Sequence, residues 1–176
     1  QHVVSSCKIS LIEKIWNWRH DSILINIARF LAKIPNLNVY CDIDDSEFQT
    51  PSLITGDIER PDIVLIKDNK CTILELTVGF ETNMNKNSKR KLEKYTNLIN
   101  RLNEHYDTQY VDLSMGTIGV IGNESKDLQK VFEKMGLQPQ ESDYLIRKII
   151  NVCIRTTYFI FCQRNKQWEV PTLLAW

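Results

Sequence analysis

Two acidic residues at the ends of a predicted β-hairpin are the residues of this chain best suited to chemistry. Asp62 and Glu75 flank two apolar runs that are joined by Asp68-Asn69, and Asp and Asn both tolerate the positive φ of a two-residue hairpin turn. If Lys67 pairs with Lys70, Asp62 falls opposite Glu75, and opposed residues of an antiparallel pair share a face. The spacing therefore predicts two adjacent carboxylates.

Two neighbouring carboxylates in a sheet that is buried on both faces need a positive partner. Apolar residues point to both faces of the predicted hairpin, which indicates a central strand pair. Like charges repel, and burial disfavours the charged form of each acid. Mg²⁺ resolves both problems, because it binds through one or two carboxylates together with phosphate oxygens of a substrate. The pair predicts a Mg²⁺ (or Mn²⁺) site at Asp62 and Glu75, with a half-exposed acidic pair at a sheet end as the alternative.

Hydrolysis of a phosphodiester needs a positive group near the developing charge in addition to the metal ion. The helix predicted after the hairpin carries Lys91 four residues before Tyr95, so both side chains fall on one face of that helix. We expect Lys91 to reach the acidic pair, with Lys94 as the alternative lysine. Three further basic residues of this helix are predicted to contact DNA phosphates or to form a solvated face: Lys86, Lys89 and Arg90.

Histidines near the start of the chain have two chemical interpretations. His20-Asp21 precedes the first predicted long helix, where Asp21 can cap the helix and His20 is expected to lie in solvent. His2 and Cys7 are separated by four residues, the spacing of the second half of a Cys-Cys-His-Cys zinc knuckle. Two ligands do not complete a tetrahedral zinc site, so zinc binding requires two further cysteines upstream of Gln1.

The elements that must position these residues follow from hydrophobic spacing and turn-forming residues. A polar, acidic loop is expected over 44–59, and the basic helix is expected to turn Leu92, Tyr95 and Leu98 inward. The order of elements indicates an α/β fold, with a mixed central sheet, a catalytic β-hairpin and flanking helices. Besides the hairpin, the predicted elements are a helix at 21–34, a strand at 37–43, a helix at 81–105, a strand at 109–115, and helices at 125–135 and 142–161.

Length, net charge and cysteine content indicate how many domains the chain forms and which compartment it occupies. A chain of 176 residues is one domain by size, and its formal net charge of zero means that only local basic clusters can hold a nucleic acid. Five cysteines without tight spacing argue against a disulfide framework and indicate a reducing, intracellular compartment. No apolar run reaches the length needed to span a membrane. The chain begins at Gln1 without a signal peptide, which we interpret as a fragment of a larger protein.

The ordered set of motifs resembles the restriction-like endonuclease domain at the C-terminal end of certain non-LTR retrotransposon polyproteins, a branch of the PD-(D/E)XK nucleases. The resemblance covers nearly the whole chain, and the ordered set is more specific than any single motif. The matching stretches are HVVSSC at 2–7, WRHDSIL at 18–24, RPDIV at 60–64, ILELTV at 73–78, KLEKY at 91–95 and GTIGVIG at 116–122.

This resemblance implies a restriction-endonuclease-like core and a nuclease that nicks target DNA, so that a reverse transcriptase in the same polyprotein can prime from the nick. It implies double-stranded DNA and other domains of the polyprotein as partners, and a nuclear location. The acids of the family carry over onto Asp62 and Glu75. Its helix lysine and tyrosine carry over onto Lys91 and Tyr95, with Lys94 as the alternative lysine.

The chain departs from the pattern of its apparent relatives in two respects: Gly79 stands where relatives often have proline, and the first half of the zinc knuckle is absent. Thr77 stands where restriction-type nucleases have a lysine, but Glu-Leu-Thr at 75–77 resembles this branch of the family. The motif at 18–24 implies that His20 or Asp21 lines the cleft, and His20 is grouped with the predicted DNA-binding residues. Residues 1–10 are interpreted as the remnant of a zinc knuckle, and residues 11–176 as the nuclease domain. The alternatives are a catalytically weak DNA-binding or docking module with the same fold, and a host repair or junction nuclease.

Overall fold

Four helices and four strands make up the regular elements of the described residues, which are 15–44, 46–49, 54, 56, 59–79, 84–117, 119–121, 128–163 and 167–174 of this computed structural model. Helices and strands follow one another in the order that the sequence predicts. They are α1 (Ile15–Leu31), β1 (Asn38–Cys41), β2 (Ile63–Lys67), β3 (Lys70–Gly79), α2 (Met84–Leu102), β4 (Asp107–Gly116), α3 (Leu128–Lys134) and α4 (Pro139–Cys162).

The four strands form one mixed sheet in the order β1-β2-β3-β4. β2 runs antiparallel to both β1 and β3, whereas β4 runs parallel to β3. Parallel neighbours need a crossover connection, and α2 supplies it. The prediction of a mixed α/β fold with a mixed sheet and flanking helices is confirmed.

The predicted hairpin forms with the predicted register. Lys67 pairs with Lys70, and the pairing continues residue by residue along β2 and β3. Of the two turn residues only the first, Asp68, adopts a positive φ, of 53°. One step beyond the paired residues, the register sets Asp62 opposite Glu75.

Each face of the sheet packs against its own layer of helices, because side chains alternate along the strands. Ile63 and Leu74 belong to the core that is shared with α1, α3 and α4. Val64 and Ile73 belong to a second core, which is completed by α2. Since Glu75 lies two residues from Ile73, it faces α2 at the end of this second core.

Two details of the helices differ from the sequence prediction. α1 begins at Ile15 rather than at Asp21, because Ile15 and Trp18 are buried against Ile160 of α4. Asp21 therefore lies inside the helix, and its predicted capping role is wrong. Leu92 of α2 was expected to point inward but is 45% exposed. The buried side of this helix runs through Tyr95, Leu98 and Leu102, and Leu92 lies beside that line of residues.

A segment without regular secondary structure, residues 167–174, lies along α1, and we name it the C-terminal strap. The indole Nε1 of Trp18 donates to the main-chain oxygen of Thr172 at 3.1 Å. The side-chain nitrogen of Asn26 donates to the main-chain oxygen of Leu174 at 2.6 Å. Side chains two turns apart on α1 therefore hold the strap through its backbone.

Two further predictions concern the membrane and zinc. No helix among the described residues is long and apolar enough to cross a bilayer. His2 and Cys7 lie outside the described residues, so the zinc-knuckle remnant stays a prediction.

Candidate active site

Asp62 and Glu75 are held side by side by reciprocal hydrogen bonds between their side chains and the two strands. The main-chain N–H of Asp62 donates to Oε1 of Glu75 at 2.8 Å, and the main-chain N–H of Leu76 donates to Oδ2 of Asp62 at 2.7 Å. The side chain of Glu75 is 1% exposed and that of Asp62 is 12% exposed. The predicted pair of neighbouring carboxylates is therefore present and largely removed from water.

Lys91 reaches this acidic pair from α2. Its Nζ lies 2.9 Å from Oδ2 of Asp62 and 2.8 Å from Oε2 of Glu75. The same ammonium donates to the main-chain oxygen of Leu76 at 2.7 Å. Removing one partner from a buried ion pair leaves an uncompensated charge that costs about 3–5 kcal/mol, so Lys91 is what allows both acids to be buried together.

The sheet-facing stripe of α2 explains why Lys91, rather than Lys94, contacts the acids. Tyr95 is 1% exposed and one turn from Lys91, and its hydroxyl donates to the main-chain oxygen of Arg60 at 2.7 Å. Lys94 lies outside this stripe, where its Nζ donates to the Tyr95 hydroxyl at 2.8 Å and sits 4.5 Å from the centre of that ring. The preference for Lys91 over Lys94 on helix geometry therefore agrees with the observed contacts.

His20 contacts the acidic pair from α1, which corrects the expectation that it lies in solvent. Its Nε2 is 3.3 Å from Oδ2 of Asp62, and its Nδ1 is 3.1 Å from Oδ1 of Asp21. The imidazole is 27% exposed. The local sequence favoured a capping pair, whereas the contact with Asp62 spans 42 positions and depends on how α1 packs on the sheet.

His20 and Asp62 each stabilise the charged form of the other. Both ring nitrogens of His20 face carboxylates, which only accept hydrogen bonds, so both nitrogens must carry protons. Burial opposes the charged ring, but Asp62 and then Asp21 outweigh it and raise the pKa of His20 to about 9. Burial alone would raise the pKa of Asp62, but His20 and then Lys91 hold it well below its ordinary value. Asp62 is therefore ionised across the neutral range.

The pKa of Glu75 shifts in the opposite direction from the pKa of its neighbour Asp62. Burial and then the negative charge of Asp62 raise the pKa of Glu75 to about 7, against the opposing effect of Lys91. Burial acts to lower the pKa of Lys91, but Asp62 and Glu75 outweigh it, so the pKa is raised. Burial, followed by the charges of Glu75 and Asp62, also raises the pKa of Tyr95. Its phenol therefore remains a hydrogen-bond donor.

A cleft of about 640 Å³ opens beside Asp62 and is lined by His20 and Arg60 among others. The Nε of Arg60 donates to Oδ1 of Asp42 at 2.7 Å, and its Nη2 donates to Oδ1 of Asp44 at 2.9 Å. A volume of this order is typical of ligand sites. The cleft gives a substrate access to the Asp62 carboxylate while Glu75 stays buried behind it.

A third acid, Asp112 of β4, was not singled out from the sequence. It pairs with Glu75 in the parallel register, so both side chains face α2. Its Oδ2 accepts hydrogen bonds from the hydroxyls of Ser88 and Ser114. Alternation along 109–115 separates Asp112 from the apolar Val111, but alternation alone does not reveal which residue of a neighbouring strand lies beside it.

The predicted DNA-binding lysines and arginine lie apart from the acidic pair. Lys86, Lys89 and Arg90 are exposed on the outer side of α2, along a shallow depression of about 560 Å³ that also includes Glu93. The position of these side chains is compatible with either a phosphate-binding surface or a solvated face. Their contact with DNA stays a prediction.

The oxygens around Lys91 suit a divalent cation. Among the described residues, no three His, Cys, Asp or Glu side chains are grouped so as to hold a metal ion. Three oxygens nevertheless meet at Nζ of Lys91, from Asp62, Glu75 and the main chain of Leu76. Carboxylate and carbonyl oxygens are ligands that Mg²⁺ and Ca²⁺ accept. The ammonium of Lys91 therefore occupies a place whose donor set fits a hard cation.

Comparison with known proteins adds no constraint on this site, since neither a protein-family model nor a curated protein matches the chain. Function is therefore inferred from the cleft itself. One ionised acid and a cationic histidine line this cleft, and a buried acid and a lysine lie directly behind them.

Proposed function

We propose that this domain is a divalent-metal-dependent DNA endonuclease with a restriction-endonuclease-like core. In this proposal it nicks target DNA in the nucleus, and a reverse transcriptase of the same retrotransposon polyprotein extends from the nick. The observation that carries the proposal is the convergence of three oxygens on one cationic nitrogen beside an open cleft. Nζ of Lys91 lies within 2.9 Å of Oδ2 of Asp62, Oε2 of Glu75 and the main-chain oxygen of Leu76.

In this proposal Asp62, Glu75 and the carbonyl of Leu76 would hold Mg²⁺ or Mn²⁺. The ion would supply Lewis-acid chemistry, which polarises a phosphate oxygen and makes water a better nucleophile. Mg²⁺ is held in proteins by few protein ligands together with substrate phosphate oxygens and water. Two carboxylates and one carbonyl, of which Asp62 lines the cleft, therefore suit a site that is completed by the substrate.

The residues of the chain itself bind and orient the phosphodiester. Nζ of Lys91 contacts the same three oxygens that would hold the cation, so with a cation there its ammonium would be available to a phosphate oxygen. A fixed positive charge at that point stabilises the negative charge that develops during hydrolysis. Tyr95 holds the main chain before β2 through the oxygen of Arg60, which keeps Asp62 at the cleft.

Duplex DNA is the proposed substrate because the exposed basic residues of α2 can contact successive phosphates. Lys86, Lys89 and Arg90 all lie on the helix that carries Lys91. Contacts to phosphates supply affinity without sequence preference, whereas sequence is read by side chains that reach base edges. With a net charge of zero, the isolated domain is expected to bind DNA weakly and to depend on other domains of the polyprotein for its target site.

A second candidate function is a DNA-binding or docking module with little catalytic activity. It is favoured by Thr77, which leaves the position two residues after Glu75 without a positive charge, and by Lys91, which pairs with both acids without any metal. Such a module would retain the affinity of the domain for DNA but would not cut. A host repair or junction nuclease is the third reading, and it shares the chemistry of the first.

Supercoiled plasmid incubated with the protein, in Mg²⁺ or Mn²⁺ and with or without EDTA, distinguishes these functions. The nuclease proposal predicts nicked circles that require the metal and disappear in Asp62→Asn. Asp143→Asn is the matched control, because Asp143 is an exposed acid of α4 that pairs with Arg147, one turn along the same helix. DNA binding without nicking in either metal would overturn the nuclease and favour the docking module.

A further inference from the structure

We infer that His20 is a positioning residue, which is held by Asp21 and orients the Asp62 carboxylate toward the site now occupied by the Lys91 ammonium. The inference rests on the proposed cation site and assigns a role to a side chain that the mechanism above does not use. It replaces the expectation that His20 contacts DNA.

Three donors from three different elements meet at Oδ2 of Asp62. They are the main-chain N–H of Leu76 on β3, Nζ of Lys91 on α2 and Nε2 of His20 on α1. The Lys91 ammonium is shared with Glu75 and is the group that a cation would displace. After displacement, the N–H of Leu76 and the imidazole of His20 remain as the two groups that fix the carboxylate.

Asp21 gives the imidazole a single orientation. Nδ1 of His20 lies 3.1 Å from Oδ1 of Asp21, one residue along the same helix. Rotating the ring by half a turn would replace both nitrogens with carbon atoms at these contacts, so both carboxylates would lose their partner. The pair Asp21–His20 therefore presents Nε2 to Asp62 in one direction only.

α1 is a rigid support for this pair. Ile23, Leu24 and Ile27 have no exposed surface and belong to the larger core, and the C-terminal strap covers another side of the helix. A side chain on a packed helix is positioned more reproducibly than one on a loop. Partners that orient a metal ligand contribute about 10–100-fold in metal affinity or activity, and we expect an effect of that size from His20.

The test measures binding of Mn²⁺ to the protein without DNA, by calorimetric titration, with Asp62→Asn as the baseline. His20→Ala is expected to weaken Mn²⁺ binding by about 10–100-fold. His20→Gln is expected to recover part of this loss, because its amide nitrogen can still donate to Asp62. His105→Ala is the matched control, since His105 is exposed in the turn after α2.

The outcomes separate this inference from the proposed nuclease. If His20→Ala and His20→Gln both bind Mn²⁺ with the affinity of the wild type, the role of His20 is overturned. The role is also overturned if Asp62→Asn binds Mn²⁺ as tightly as the wild type does. If His20→Ala does not fold, as judged by circular dichroism, His20→Gln and Asp21→Asn carry the same comparison, and wild-type affinity in both overturns the inference. Asp62-dependent and His20-dependent Mn²⁺ binding without any DNA cleavage would support His20 and overturn the nuclease alone.

Discussion

The substitution Glu75→Gln is expected to stabilise the metal-free protein at neutral pH while it abolishes metal-dependent nicking. Glu75 is 1% exposed, and its charge is opposed by burial and by the neighbouring Asp62. Glutamine has nearly the same shape, and its carbonyl oxygen can still accept the 2.8 Å hydrogen bond from the N–H of Asp62. The substitution therefore removes the charge and keeps the shape of the side chain, while the amide nitrogen takes the place of Oε2 and ends its contact with Nζ of Lys91.

The direction and the pH range of the effect follow from the raised pKa of Glu75. The folded protein, with a pKa of about 7, binds the proton more tightly than the unfolded chain, with a pKa of 4.5. Stability from this group is therefore fully present below about pH 4.5 and is lost as the pH rises to about 7. Each pKa unit corresponds to about 1.4 kcal/mol, so the loss is on the order of 3 kcal/mol. Glutamine has no proton to lose and does not show this decline.

Urea unfolding in EDTA, from about pH 4 to about pH 8, measures the difference in the free energy of unfolding between the two proteins. The difference is expected to be small at the acidic end and to grow to a few kcal/mol in favour of Glu75→Gln near neutrality. His20 titrates in both proteins, so its contribution largely cancels in the difference. Asp143→Asn, at an exposed site, should follow the wild type. The same pH dependence for wild type and Glu75→Gln would refute the reasoning, because Glu75 would then ionise as readily in the folded protein as in the unfolded chain.

Three further predictions test α2. Lys91→Ala should lower the rate of nicking at saturating DNA, whereas Lys94→Ala should leave it near the wild-type value, because Lys94 contacts the Tyr95 hydroxyl rather than an acid. Single-turnover assays measure this rate, and a lower rate in Lys94→Ala alone would contradict the prediction. Lys86→Ala and Lys89→Ala should each reduce the slope of log affinity against log salt by about one in fluorescence anisotropy, and unchanged slopes would show that DNA binds elsewhere. Tyr95→Phe should reduce the free energy of unfolding by about 1 kcal/mol, because it removes the hydrogen bond from the hydroxyl to a main-chain oxygen. Equal urea midpoints for Tyr95→Phe and the wild type would show that this bond adds nothing to stability.

The features predicted correctly from the sequence are those set by local spacing. A two-residue turn between two apolar runs leaves one register that keeps apolar residues on both faces, and that register brings Asp62 to Glu75. Helical periodicity likewise sets Lys91 and Tyr95 on the sheet-facing side of α2. In both cases the residues concerned belong to neighbouring or identical elements, so pattern alone determines their geometry.

Features that depend on packing between distant elements were missed. His20 was interpreted through its neighbour Asp21 as part of a cap, but Trp18 extends α1 toward the N-terminus and is buried in the core. The contact between His20 and Asp62 is then decided by how α1 lies on the sheet. Asp112 was missed for a related reason, because parallel strands are joined by a long crossover that does not specify which residues pair.

The C-terminal strap has a consequence for the order in which the domain matures during synthesis. It joins residues that are far apart in the chain, with 154 positions between Trp18 and Thr172 and 152 between Ser22 and Leu174. Contacts of such long sequence separation require the closure of a large loop, and the N-terminal part of a chain leaves the ribosome first. A nascent chain thus contains the hairpin acids well before the strap is available to brace the helix that bears His20. We expect the cleft to be completed only after residues 167–174 have been translated, which would keep a partly made domain without a complete site.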